Sequence, residues 1–356
     1  MMKKLSENTW NAFSVDSLFP VIEATKGKTT AGLVDGDRLP YIAAAKSIIG
    51  CKICSAEANG EWASDGNGMV FVQIGDGAAG LAHYVPISFI GMSGKTSVGY
   101  SECLNVYNGL FIERCLSSNK AFFSHGHSWT GKRLAKTKVM LPVDNDGEPG
   151  YAYMAEYAQQ KRDAMLAKYR AYVEARIAEL GEYVEIPKLD EKEWKEYALE
   201  KLFSVSAGKR LTNADKIDGN RPFIGATDNS NGITGFVGNS NSSCDKNILG
   251  VNYNGAPCIA FYHPYECIFT DDVKRLHLLH HEDNEYVLLF FKTIVMQQRT
   301  KYSYGYKFKE KRMLRQKLMI PIDDDGKPDY EYMEQYAKNM MLRKYEQYLT
   351  FLRGKE

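Results

Sequence analysis

The feature that most constrains this chain of 356 residues is an internal duplication. Residues 133–158 return as residues 312–337 without a gap, at an offset of 179 (312 minus 133). The prolines, the Asp-Gly turn and the Tyr-x-Tyr-Met step stay in register. A weaker match joins residues 10–19 to residues 194–203, at an offset of 184 (194 minus 10). A chain that repeats itself in this way is predicted to build one structural unit twice.

The two copies differ in their middles. Beyond short matches at residues 27–28 and 40–42, the halves share almost nothing until the long match at residue 133 begins. Similar ends with dissimilar central segments are typical of two copies of one scaffold that hold different recognition surfaces. The alternative is a duplicated domain whose middles have drifted, and the duplication alone does not exclude it.

The middles consist of short apolar runs between Gly, Asn and Asp, the pattern of β-strands joined by turns. Such runs occupy residues 69–74, 247–252, 258–262 and 273–278, and a helical pattern covers residues 285–293. Each half is therefore predicted to be mixed α and β, which makes the chain an α+β protein.

A long amphipathic helix is predicted to close each half. Beyond Pro142 and Pro321 a turn leads into a stretch whose apolar residues follow steps of three and four. Stripes so close to a 3.5-residue repeat favour an antiparallel coiled coil of the two helices, and the alternative is that each lies on its own domain. The predicted boundaries are 1–150 for the first domain, 151–181 for the central helix, 182–329 for the second domain and 330–356 for the C-terminal helix.

Composition limits the function. Because 45 basic and 44 acidic residues give a net charge of +1, any nucleic-acid surface must be a local patch. With no signal-peptide pattern and no apolar run of about 18 residues, we expect a cytoplasmic protein without membrane contact. Seven cysteines do not suggest a disulfide framework. Cys51 and Cys54 form one CxxC without a matching second pair, which favours buried thiols over zinc.

Motifs for catalysis on DNA are not found in the sequence. Residues 91–96 resemble a phosphate-binding loop with too few residues between the glycines, so we predict a turn. There is no Asn-Pro-Pro-Tyr or Asp-Pro-Pro-Tyr for adenine methylation, and residues 328–333 lack the lysine of a metal-dependent nuclease. The histidines at 125, 127, 280 and 281 lack metal-ligand spacing. We therefore expect no catalytic and no metal-binding residues.

The segment 299–317 is the most informative patch, because it holds eight basic residues and one acid, Glu310. Aromatic residues and lysines alternate along it, which predicts a strand with one packed face and one lysine face. Such a row contacts phosphate or protects an exposed sheet edge. The alternating residues are Tyr302, Tyr304, Tyr306 and Phe308, with Lys301, Lys307, Lys309 and Lys311 at the other parity. The first half offers a weaker counterpart at residues 120–138.

At these residues the second half resembles the target recognition domain of type I restriction and modification specificity subunits. The segments that carry the resemblance are residues 222–236, 252–255, 302–306 and the 321–333 hinge into the long helix. The first half is similar at residues 40–42 and 138–154 but departs at 43–46 and 125–129. A different base preference is therefore expected for the first half.

The resemblance implies two target recognition domains on a helical spacer that binds a split double-stranded DNA target. It also implies partners: two methyltransferase subunits that methylate adenine with S-adenosylmethionine, and either a separate restriction and translocation subunit or one polypeptide that fuses nuclease and methyltransferase. The chain itself then needs no cofactor. A stand-alone nuclease and a duplicated protein-interaction scaffold are the rival functions.

Candidate contacts follow from the resemblance together with side-chain chemistry, since Asn and Arg suit paired hydrogen bonds to base edges. The Asn-rich loop at 227–231 is also explained by plain turn chemistry. The predicted DNA contacts are Lys28, Lys46, His125, His127, Trp129, Lys132, Arg133, Lys209, Arg210, Arg221, Thr227, Asp228, Asn229, Ser230, Asn231, Lys301, Tyr302, Tyr304, Lys307, Lys309 and Lys311. The predicted partner contacts are Met154, Tyr157, Tyr169, Met333, Tyr336 and Tyr348.

Overall fold

A computed structural model describes residues 3–27, 29–48, 51–75, 77–124, 126–303 and 305–354. Three predicted DNA contacts, Lys28, His125 and Tyr304, lie outside the described residues. The chain forms two compact units, residues 1–169 and 170–356. The boundary between them falls inside one continuous helix, Tyr151–Leu180.

The first unit mixes short strands with short helices. Its strands are β1 Trp10–Ser14, β2 Val21–Ala24, β3 Asp35–Ile42, β4 Ile53–Cys54, β5 Ala63–Ser64, β6 Gly68–Val72, β7 Ala82–Val85, β8 Phe89–Gly91, β9 Thr96–Tyr100 and β10 Lys138–Pro142. Its helices are α1 Val15–Leu18, α2 Ala56–Asn59, α3 Val106–Ser117, α4 Gly131–Lys136 and the start of α5 Tyr151–Leu180.

The second unit repeats the order of the strands. Its strands are β11 Trp194–Ala198, β12 Phe203–Ala207, β13 Arg221–Ile224, β14 Ile233–Val237, β15 Cys244–Asp245, β16 Ile248–Asn252, β17 Ala260–His263, β18 Cys267–Phe269, β19 Val273–Leu278 and β20 Lys317–Pro321. Its helices, besides the end of α5, are α6 Glu285–Gln297, α7 Glu310–Arg315 and α8 Tyr330–Arg353.

Both units have the same sheet topology over their described residues. The first has the orders β1-β10, β2-β9-β6-β7 and β4-β3-β8-β5, and the second has β11-β20, β12-β19-β16-β17 and β14-β13-β18-β15. The pairs β3-β8 and β13-β18 are parallel in otherwise antiparallel sheets. The divergent middles therefore keep one fold, and the predicted mixed α and β class is confirmed.

Each unit buries its core between one helix and one sheet. These are α3 and the sheet that contains β6 in the first unit, and α6 and the sheet that contains β16 in the second. Phe71 packs edge to face on Phe19 in the first unit, and Phe203 packs in the same way on Phe291 in the second. Asn105 and Asn284 cap the helices α3 and α6 by accepting hydrogen bonds from backbone N–H groups. These equivalent caps fix where each helix starts on its sheet.

The predicted pair of long helices is confirmed, with α5 spanning 30 residues and α8 spanning 24. Within the second unit, Tyr172 near the end of α5 packs edge to face on Tyr345 of α8, with ring centroids 6.4 Å apart. Arg176, one turn further along α5, forms an ion pair with Glu285 at 3.0 Å. Among the described residues, no helix has the length and apolar character needed to cross a membrane.

Candidate nucleic-acid interface

The basic segment 299–317 does not form the predicted strand. Ser303 and Tyr306 close a tight turn through two backbone hydrogen bonds, of 3.2 and 3.0 Å. The chain then runs without regular structure until α7 begins at Glu310. The predicted lysine row on one strand face is therefore wrong, because a turn and a helix break the alternation.

Aromatic stacking makes this turn rigid. Tyr306 stacks on Tyr302, with centroids 5.7 Å apart and planes 11° apart. The guanidinium of Arg312 lies 3.8 Å from the centre of the Tyr306 ring, and its Nη1 donates a hydrogen bond to the Lys307 carbonyl at 2.8 Å. Phe308 is fully buried, as the packed face of the pattern predicted. Burial raises the pKa of Tyr302 to about 12, so this ring stays neutral in the stack at physiological pH.

A cleft of about 860 Å³ opens beside the turn, and most of its polar lining is basic. Two acids offset part of this charge, since Glu310 binds Lys274 and Glu196 binds Lys317, both at 2.6 Å. The remaining positive charge favours a phosphate chain as the occupant. The basic lining residues are Lys301, Lys309, Lys311, Arg312, Arg315 and Lys317. Arg312, Arg315 and Lys317 were missed as individual contacts, although the count of basic residues in this segment already included them.

The Asn-rich loop 227–231 is held by one hydrogen bond and one ion pair, and its residues 228–231 are exposed. Asn252 donates its amide N–H to the Thr227 carbonyl at 2.9 Å, which ties the loop to the end of β16. Asp228 lies 3.8 Å from Arg299, which joins the loop to the basic segment. Asp228, Asn229, Ser230 and Asn231 are exposed, and Ser230 and Asn231 have φ angles of 51° and 52°. Arg299 is therefore a fourth basic residue of this surface that was not predicted individually.

Three basic residues of the second unit, Lys209, Arg210 and Arg221, were also predicted as DNA contacts, and they lie at different ends of the sheet that contains β13. Exposed Lys209 and Arg210 follow β12, and the Lys209 N–H donates to the Phe269 carbonyl at 2.9 Å, next to the end of β13. Arg221 begins β13 at the opposite end and binds Glu266 at 2.8 Å. The guanidinium of Arg221 also donates to the Asn239 carbonyl. Arg221 thus braces the far end of the sheet, and its role as a DNA contact stays a prediction.

The first unit builds the same turn from different residues. Ser124 and His127 close it with hydrogen bonds of 3.1 and 3.0 Å, and His127 stacks on Phe123 at 6.1 Å. Arg133 donates to the Ser128 carbonyl, as Arg312 does to Lys307 at the offset of 179 (312 minus 133). Residues 126–128, where the sequences of the two halves depart, are therefore structurally equivalent to residues 305–307.

Three predicted contacts of the first unit, all basic, are exposed. Lys132 and Arg133 are exposed on α4, and exposed Lys46 reaches over the turn at Gly77, where an added Cβ would lie 3.2 Å from the lysine Cε. Each of the three is placed so that it can reach a ligand from solvent.

Trp129 corrects another prediction. Its side chain is 0% exposed and packs against Phe71 and Phe123 at 5.3 and 5.2 Å. Its indole N–H donates to the Thr137 hydroxyl at 2.8 Å. A fully enclosed ring cannot touch DNA, so Trp129 is a core residue. The repeat carried the signal for this, because Trp129 occupies the position of buried Phe308 at the offset of 179.

Comparison with known proteins identifies the family. Residues 191–348 match the family described as type I restriction modification DNA specificity domain. The chain is 40% identical over 237 residues to the type II restriction enzyme BgcI specificity subunit S.BcgI of Heyndrickxia coagulans, covering 67% of this chain and 67% of that protein. The chain belongs to the family of restriction–modification specificity subunits.

Solved structures of such subunits also match this specificity subunit over its length. The type I restriction–modification S subunit from M. genitalium is 15% identical, with a TM-score of 0.49, and 99% of this chain and 94% of that chain are covered. The HsdS subunit from Thermoanaerobacter tengcongensis is 12% identical, with a TM-score of 0.33, and 98% and 91% are covered.

The predicted partner contacts of the specificity subunit divide by burial. Met154 and Met333 are 0% exposed and belong to the cores of their own units, so their prediction as partner contacts is wrong. Tyr157 and Tyr336 are half-buried against Phe111 and Phe290 at 5.7 and 5.6 Å. Tyr169 is 43% exposed on α5, and Tyr348 is half-buried on α8.

His277 forms the one cluster that looks catalytic among the described titratable groups. Its Nδ1 lies 2.6 Å from Asp283 and its Nε2 lies 3.2 Å from Asp245. The hydrogen bond to Asp283 is the main reason that the pKa of His277 is raised. Both ring nitrogens are occupied by carboxylates, so the ring cannot take a proton from a substrate and instead braces β15 and β19. In the described part of the chain, no group of His, Cys, Asp and Glu has metal-site geometry.

Proposed function

We propose that this specificity subunit reads a split double-stranded DNA target, with one half-site for each recognition domain. One observation carries the proposal: the two units share sheet orders, caps and the stacked turn, yet the loops beside the turn differ. In the second unit the exposed segment 228–231 presents Asp, Asn, Ser and Asn, whereas the first unit presents the Ala-rich stretch 43–46. A common scaffold with unlike loops supports a target whose two halves are unlike.

We further infer that the chain does not catalyse a reaction on DNA. Its partners would be methyltransferase subunits, two for a type I arrangement, which transfer a methyl group from S-adenosylmethionine to adenine, together with a nuclease. The nuclease is either a separate translocating subunit or fused to the methyltransferase. One relative is the specificity subunit of a type II restriction enzyme, so a type II arrangement is tested beside the type I arrangement.

Reconstitution tests this function. We expect methyl transfer from labelled S-adenosylmethionine to plasmid DNA when the full chain and its methyltransferase partner are combined, and none with either protein alone. Methylation at the same sites by the partner alone would contradict the proposal. Magnesium-dependent cleavage by the purified chain would favour the rival nuclease, and partner binding without salt-sensitive DNA binding would favour the protein scaffold.

A further inference from the structure

We infer that the turns around Gly126 and Gly305 are equivalent anchors for the DNA sugar–phosphate backbone and do not read bases. This inference rests on the proposed function and assigns a role to two residues that the sequence motifs left unexplained. Several glycines recur at matching positions in the two units, and a glycine kept in both copies of a divergent domain has a physical cause.

Other recurring glycines are explained by the fold itself. Gly147 and Gly326 have φ angles of 83° and 73°, which side chains disfavour in the hinge turn. Gly27 and Gly208 lie against backbone, where an added Cβ would be 1.5 and 1.9 Å from a carbonyl oxygen. Neither pair needs a ligand to account for it.

Neither a positive φ angle nor a close contact with backbone accounts for Gly126 and Gly305. They are absent from the residues with positive φ, and no atom of the described chain lies within 4 Å of a Cβ built on either one. Both are exposed at the tips of stacked turns. The fold would accept alanine at each tip, so the repeated glycine points to close approach by something outside the chain.

The surroundings of the tips identify the chemistry of that ligand. The Gly305 turn adjoins the basic cleft with Lys309, Lys311 and Arg315, and the Gly126 turn is followed by exposed Lys132 and Arg133. A chain of phosphates satisfies both a close backbone approach and this charge. Bases are the less suitable ligand, because the two turns share their design whereas the two half-sites are proposed to differ.

The rigidity of the turns suits an anchor. Tyr306 is held between Tyr302 and the guanidinium of Arg312, and His127 stacks on Phe123. A turn already fixed in place loses little conformational entropy when it binds. Contacts of this kind set the orientation of each domain on the duplex and leave base reading to the loops.

Alanine substitution tests the inference. Gly126→Ala and Gly305→Ala are each measured in the complex of the full chain with its methyltransferase partner. The probes are one duplex carrying the methylated motif and one scrambled duplex. We expect an unchanged melting temperature and a loss of affinity of about tenfold per variant, equal on both duplexes, as the loss of one charge-assisted contact implies. Gly60→Ala is the matched control, since Gly60 also has ordinary φ and open space around a built Cβ, and it should bind like the wild type.

Arg315→Gln provides a second measurement that does not depend on the turn backbone. It should lower the salt dependence of binding on both duplexes. The inference would be overturned if both glycine variants bound with wild-type affinity, or if they weakened binding to the motif duplex alone. It would also be overturned if Gly60→Ala weakened binding equally. A wild-type complex that binds neither duplex would instead contradict the proposed function.

Discussion

The indole N–H of Trp194 donates a hydrogen bond to the Leu189 carbonyl oxygen, with nitrogen and oxygen 2.8 Å apart. Trp10 makes the same bond to Leu5 at 3.1 Å. Each tryptophan also stacks on the phenylalanine of its own core helix, at 6.5 Å for Trp194 and 6.3 Å for Trp10. The duplication therefore extends from sequence to individual hydrogen bonds, and it separates scaffold residues from those free to differ.

Trp129 is the first residue to test on this basis. Trp129→Phe installs the side chain that the second unit carries at its equivalent position, so we expect a cost of about 1–3 kcal/mol from lost volume and the lost bond to Thr137. Urea unfolding measures this cost. Methylome sequencing should return the wild-type motif, and a changed motif at unchanged stability would show that Trp129 reads DNA after all.

The carboxylate clamp on His277 predicts a pH-dependent stability. Its pKa is raised from the ordinary value of 6.5, chiefly by the hydrogen bond to Asp283, so the protonated ring is favoured in the folded state. The contribution is complete below pH 6.5 and is lost as pH rises through the higher folded-state pKa. Urea unfolding at pH 6 and pH 9 should therefore show a larger gap between wild type and His277→Gln at pH 6. A gap that does not change with pH would contradict the clamp.

The basic segment predicts sequence-independent binding. Lys307, Lys309 and Lys311 changed together to Ala should weaken binding to all duplexes and reduce the slope of log affinity against log salt by roughly 2–3, about 0.9 for each phosphate contact. The control changes Lys188, Lys201 and Lys327, exposed lysines of the same unit that do not line the cleft. Equal effects of the two triple variants would remove the special role of this segment.

Helix length predicts the gap between half-sites. Four residues added to both α5 and α8 lengthen each by about 6 Å and complete about one turn, so the apolar stripe stays nearly in register. At about 3.4 Å per base pair, the recognised gap should grow by close to two base pairs. A folded, partner-bound variant that methylates only the original spacing would show that the helices do not set the gap.

The repeat predicted most of the fold. The constant ends located both long helices, with α8 at Tyr330–Arg353, and the strand β19 was found at its observed bounds, Val273–Leu278. Such elements can be predicted from the sequence because a single apolar periodicity runs through each of them. The short strands of the divergent middles were predicted from the same kind of apolar pattern, which there extends over fewer residues.

The predictions that were wrong concern residues at the junctions of secondary-structure elements or in the core. Tyr302 and Phe308 pack on each other with ring centroids 4.5 Å apart, but the turn closed by Ser303 and Tyr306 lies between them, so a local alternation of residue types imitated a strand. Trp129 was assigned to DNA by residue type, whereas its position in the core decides its role. Contacts between residues distant in sequence fixed those outcomes, and a local pattern does not contain them.

Two domains that read two different half-sites are the basis of the proposed function. Replacing residues 20–131 by residues 204–310 keeps both ends of the first scaffold and gives both domains the same loops. Methylome sequencing of a host that carries this variant with its partner is the most direct test. We predict a symmetric motif in which the half-site of the second domain appears twice. A motif unchanged in both halves, from a folded and partner-bound variant, would contradict the account.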